Sequence, residues 1–78
     1  MTDTNQGILD NCLTAIQQAY DTLTEVREQE ESAYDNLPES IQEGDRGDEM
    51  QEAIDTLEEV TDLLEDVISD LEDLSYMI

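Results

Sequence analysis

Apolar residues recur every seven positions through the second half of the chain. Met50, Leu57, Leu64, Leu71 and Ile78 form one series, and Ala53, Val60, Val67 and Leu74 form a second, three residues after the first. Nothing polar interrupts either series, so the spacing predicts an α-helix with an a/d heptad seam held for four repeats. Ile54, Leu63, Ile68 and Met77 flank that seam and widen the stripe beyond a two-stranded contact, toward a bundle face.

The first half follows the same rule with an interruption. Leu9, Ile16, Leu23 and Leu37 alternate with Cys12, Ala19, Val26 and Ala33, and the pattern breaks at Glu30. Leu13, Tyr20 and Tyr34 widen this face. Asp3 and Gln6 have capping-pair spacing at the start, and Glu30 is read as marking the fraying end. Between the two halves, Asp35-Asn36-Leu37-Pro38 is a stop signal, because the residue before a proline is driven from the α region. Glu39 to Glu43 has room for one short turn. Gly44-Asp45-Arg46-Gly47 reads as flexible punctuation, with Asp48 and Gln51 at capping-box spacing before the second helix.

The expected fold is therefore all-α. It is one domain over residues 1–78, with a helix over 4–34, an elbow over 35–47 and a helix over 48–76. These form a two-helix hairpin with coiled-coil-like heptads. Its helix-packing seam is expected at Leu9, Ile16, Leu23, Leu57, Val60, Leu64, Val67, Leu71 and Leu74. One hairpin leaves the outer edge of each stripe in water, and four helices would close it. A homodimeric four-helix bundle is the expected assembly.

Composition then limits function. The 78 residues carry 23 acids, two arginines, no lysine and no histidine, for a formal charge of −21. Without histidine the chain lacks the commonest general base and zinc ligand, so no enzyme activity, cofactor or metal site is expected. No stretch matches an EF-hand loop. The single cysteine, Cys12, excludes an internal disulfide and is expected to pack as a small hydrophobe on the apolar face. With only Arg27 and Arg46, the chain is unsuited to neutralising phosphates, which argues against direct nucleic-acid or anionic-membrane binding. The polar first residues lack a signal-peptide pattern, and no apolar run approaches the roughly 20 residues of a membrane span. A cytoplasmic setting is expected.

The acids are also patterned. Asp48, Glu52, Asp55, Glu59, Asp62, Asp66, Asp70 and Asp73 follow at spacings of three or four and form one stripe along the second helix. Glu58, Glu65 and Glu72 make a second row beside it. No base relieves these like charges, each pair of which disfavours an isolated helix by about a few tenths of a kcal/mol. Twelve acids from Asp48 onward place roughly one charge per 4 Å of helix axis, against about one per 3.4 Å in a single DNA strand. The stripe is therefore a candidate contact for a basic, nucleic-acid-binding protein, which the chain would inhibit as a nucleic-acid mimic. The alternative is a structural or assembly module that works through its apolar seam, its acidity serving solubility or adaptation to high salt.

One segment looks familiar. Glu30-Glu31-Ser32-Ala33-Tyr34-Asp35-Asn36-Leu37-Pro38-Glu39-Ser40-Ile41-Gln42, followed by Arg46-Gly47-Asp48 and an acidic heptad helix, resembles small uncharacterised acidic helical-hairpin proteins of bacteria and their phages. The resemblance covers roughly residues 25 to 75 and implies a setting, not a mechanism. In a phage setting the site of action is the host cytoplasm, and an inhibitor of a host defence protein becomes the favoured form of the mimic. Tyr34 and Leu37 are expected to plug the end of the bundle, with Arg46 paired to neighbouring acids.

Overall fold

The computed structural model describes residues 3–77, all three of its elements helical: α1 (Asp3–Asp35), α2 (Glu39–Gln42) and α3 (Asp45–Met77). The Asp3 side chain, and with it the Asp3–Gln6 capping pair, lies outside the described residues. So does Ile78, the last residue of the first heptad series. The two long helices pack against each other as a hairpin. Their cross-contacts run in opposite senses: Asp10 meets Ser75, Tyr20 meets Glu65 and Arg27 meets Thr61. The product is a rod with extents of 59 × 14 × 13 Å. Helices crowded with like charges gain little from local propensity, so their length follows the apolar stripe that each lays on the other.

α1 ends where Asn36-Leu37-Pro38 requires it to. The Leu37 amide turns back to the Tyr34 carbonyl at 3.0 Å, and Pro38 caps α2 with φ −55° and ψ 145°. The Pro38 carbonyl accepts from the Ile41 and Gln42 amides, and Gln42 Nε2 donates to the Tyr34 carbonyl at 2.8 Å. That last bond gives the Tyr34 carbonyl, at the end of α1, a second donor beside the Leu37 amide. Tyr34 and Leu37 are half-buried at this end of the hairpin.

The second part of the elbow departs from expectation. Asp45-Arg46-Gly47 forms the first turn of α3, and the Asp48 amide already donates to the Gly44 carbonyl at 3.0 Å. Gly47 is buried, and a Cβ placed on it would stand 2.0 Å from the Gln42 carbonyl oxygen. Glycine serves close approach of α3 to α2 here, and it lends no flexibility. Asp48 and Gln51 consequently fall inside the helix, where Gln51 Nε2 bonds Asp55 Oδ1 at 2.9 Å instead of closing a capping box. Glu30, expected at a fraying end, is half-buried within continuous helix.

The seam inside the hairpin uses only half of each apolar stripe. Apart from Gln6 and Thr24 on α1 and Gly47 on α3, the less exposed positions are Leu9, Leu13, Ile16, Tyr20, Leu23, Arg27, Glu30 and Tyr34 on α1 and Met50, Ile54, Leu57, Thr61, Leu64, Ile68, Leu71 and Ser75 on α3. Steps of four and three alternate throughout. Leu9, Ile16, Leu23, Leu57, Leu64 and Leu71 stand in the seam as expected, whereas Val60, Val67 and Leu74 are 37%, 42% and 38% exposed and stand outside it. Their places are taken by Thr61, Ile68 and Ser75, as Ala53's is by Ile54. Cys12, Ala19, Val26 and Ala33 are likewise displaced in favour of Leu13, Tyr20, Arg27 and Tyr34, so Cys12 is exposed instead of packed.

Size explains the choice. The displaced row of α1 holds a cysteine, two alanines and a valine, whereas the chosen row offers a leucine and two tyrosines, which bury far more surface. Arg27 then needs a polar partner, and α3 supplies Thr61 at its level. Thr61 is only 1% exposed; its hydroxyl accepts from Arg27 Nη1 and donates to the Glu58 carbonyl, both at 3.0 Å. Ile54, 5% exposed, is the buried apolar residue next to this layer.

Candidate functional site

Every member of the acidic stripe, Asp48, Glu52, Asp55, Glu59, Asp62, Asp66, Asp70 and Asp73, is exposed on α3. The second row, Glu58, Glu65 and Glu72, is exposed as well but turns toward α1. Tyr20 donates its hydroxyl to Glu65, and this bond, with partial desolvation and the carboxylate's charge, raises the phenol above its ordinary 10.0. Near the elbow, a shallow groove of about 310 Å³ is lined by Glu31, Tyr34 and Asp35 from α1 and by Gln51, Ile54, Asp55 and Glu58 from α3. Four carboxylates from two helices thus border one concavity.

Helix geometry divides the hairpin into two broad faces. At about 100° per residue, the row Ile54-Thr61-Ile68-Ser75 lies some 40° to one side of Met50-Leu57-Leu64-Leu71, while Ala53-Val60-Val67-Leu74 lies about 60° to the other. The same relation holds on α1 for Leu13-Tyr20-Arg27-Tyr34 against Cys12-Ala19-Val26-Ala33. Because the helices are antiparallel, corresponding rows fall on the same side. The groove face carries the row Asp10, Gln17, Thr24 and Glu31 opposite Gln51, Glu58, Glu65 and Glu72. The other face carries the two displaced rows, bordered by Ile8, Ala15, Thr22 and Gln29 on α1 and by Thr56, Leu63, Asp70 and Met77 on α3. All sixteen of those positions are exposed, and Asp70 is the only charged one.

The cations are placed unequally. Arg27 is half-buried in the seam, with Glu31 beside it at 3.7 Å, while Arg46 is exposed and makes no ion pair among the described residues. Spacing alone does not pair Arg27 with Thr61, which lie 34 residues apart. The signal available was the series Leu13-Tyr20-Arg27-Tyr34 at strict sevens, which identifies the arginine as a seam residue. Among the described residues no group of three or more cysteine, aspartate or glutamate side chains is arranged to hold a metal ion. None of the described helices is long and apolar enough to cross a membrane. No protein family, curated protein or solved structure matches the chain.

Proposed function

We propose that this protein binds a basic protein surface and acts as a nucleic-acid mimic, inhibiting a DNA- or RNA-binding protein by occupying its positive groove. The observation that carries the proposal is the convergence of carboxylates from both helices on one broad face, continuous with the exposed stripe from Asp48 to Asp73. A helix of this length spaces its charges nearly as closely as a nucleic-acid strand. A rod with one sign of charge gains encounter rate and selectivity against a groove of the opposite sign. The groove near the elbow adds a concavity sized for a lysine or arginine side chain of such a partner. The acting unit is a homodimeric, coiled-coil-like four-helix bundle, and its setting is the host cytoplasm if the chain is phage-borne. There the inhibited partner is a nucleic-acid-handling host protein, a defence protein being the favoured case.

The test is reversal of Asp55, Glu59, Asp62 and Asp66 to lysine together, followed by capture from a host lysate at low ionic strength and by inhibition of the captured nucleic-acid-binding protein. Loss of both with an unchanged far-ultraviolet helical signal is expected. Retained inhibition would overturn the mimic. The exposed row Ala53-Val60-Val67-Leu74 favours a second function, assembly through apolar contact. In that case the four lysines are tolerated and Val67→Asp, on the exposed row, destroys capture while the helical signal is kept.

A further inference from the structure

We infer that the broad face nearly free of carboxylates is the contact surface for a second copy of this chain, joining two hairpins into a four-helix bundle. This deepens the dimeric unit proposed above by naming its face, and it does not rest on what the acids bind. Charge is the first argument. The chain carries 23 acids among 78 residues, yet the sixteen exposed positions of this face include only Asp70. Two molecules of charge −21 can approach only where their own carboxylates are absent. A basic partner, by contrast, is drawn to the opposite face and to the outer stripe of α3.

Size is the second argument. A side of 59 by 14 Å presents roughly 800 Å², which is about what each partner contributes to a standard stable interface. Shape is the third. On the α1 side Ala15, Ala19 and Ala33 stand low between Ile8 and Val26, and on the α3 side Val60, Leu63 and Val67 stand above Ala53. One face thus carries both halves of a small-against-large fit, which is what an isologous two-fold contact requires. On α1 the hairpin seam has taken the larger side chains; on α3 it has taken Thr61 and Ser75 and left Val60 and Leu74 outside. The two long helices are already committed to each other along the seam, so the outer rows face no other long helix of the described chain.

The experiment is sedimentation equilibrium of the full chain in buffered sodium chloride. The mass of two chains is expected, with a dissociation constant that falls as salt is added, because salt screens the repulsion between the acidic surfaces. The double variant Val60→Glu, Val67→Glu should weaken association at least about tenfold. Its far-ultraviolet circular dichroism reports whether the hairpin survives. Cys12 gives an independent readout on the unaltered protein: its thiol, exposed in one hairpin, should react with a thiol reagent at least tenfold more slowly above the dissociation constant than below it. A single-chain mass at millimolar concentration and high salt would overturn the inference and leave this face to a foreign partner or to solvent. A dimer in which Cys12 reacts at the same rate as in the monomer would overturn it too, since the copies would then meet elsewhere. Neither result bears on the lysine reversals, which test the mimic separately.

Discussion

The two ends of the rod are built differently. In the elbow half, Gly47 and Ile54 are buried, with Thr61 buried at the midpoint of α3; α2 braces α3, and Gln42 ties back to the end of α1. Toward the open end the seam continues, but among the described residues it contains no buried one, the Ser75–Asp10 hydrogen bond across it is long at 3.5 Å, and Tyr76 is 92% exposed. The same heptad spacing runs through both, so periodicity alone does not set how tightly a stretch is packed. What differs is a third element. A four-residue helix closes one end, and nothing among the described residues closes the other. Stability is therefore concentrated at the elbow, while the open half serves mainly to extend the charged and apolar faces.

Substitutions can break this contrast directly. Ile54→Ala should cost about 3 kcal/mol of unfolding free energy, since it empties a buried site beside the Arg27–Thr61 layer. Denaturant unfolding measures it, and a cost under a third of that would mean the elbow is not the stable end. Gly47→Ala should follow at about 2 kcal/mol, because its methyl would strike the Gln42 backbone and force α2 away from α3. Leu71→Ala, the matched truncation toward the open end, removes a half-buried side chain and should cost only about 1 kcal/mol. A Leu71 cost equal to that of Ile54 would erase the contrast.

Two smaller effects sharpen it. Tyr20 holds its proton beyond the ordinary value because the phenol donates to Glu65. A raised folded pKa means that this bond's contribution is complete below the unfolded tyrosine's pKa of about 10 and is lost as pH rises through the higher folded value. Phenolate absorbance of the native protein minus that of Tyr20→Phe should show a component titrating above 10.0. Its appearance at the ordinary value would mean that the bond across the middle of the rod does not persist in solution. Finally, added sodium chloride at pH 7 should raise the melting temperature by about a few degrees, since screening relieves repulsion among 23 acids facing two bases. A melting temperature that fell steadily with salt would count against repulsion as the dominant charge term.

Much of this was legible in the chain, for identifiable reasons. The unbroken series from Met50 to Leu74 was enough for the second helix, and Leu37-Pro38 for the end of the first. The acidic stripe followed from spacing, because side chains three or four apart share a helix face wherever the helix lies. The seam was half legible. Leu9, Ile16 and Leu23 belong to it under either of two registers, and the choice between Cys12-Ala19-Val26-Ala33 and Leu13-Tyr20-Arg27-Tyr34 turns on volume and on a partner for Arg27. Hydropathy favoured the first, because it discounts the bulk of tyrosine and counts arginine as a surface residue. Gly47 is hidden for a similar reason: two glycines within Gly44-Asp45-Arg46-Gly47 suggest a loose turn, and only the proximity of Gln42 discloses a steric requirement.

The sequence by itself determined that the chain forms two acidic, amphipathic helices joined by a proline-marked elbow, because periodicity, breakers and charge spacing act within a few residues of each other. Only the tertiary structure decided which half of each apolar stripe faces inward. That decision depends on which side chains of α1 and α3 stand at the same level once the chain has turned back on itself. It leaves one broad face crossed by carboxylates and the other almost without them. Packing between the helices thus converted an evenly acidic composition into a two-sided molecule.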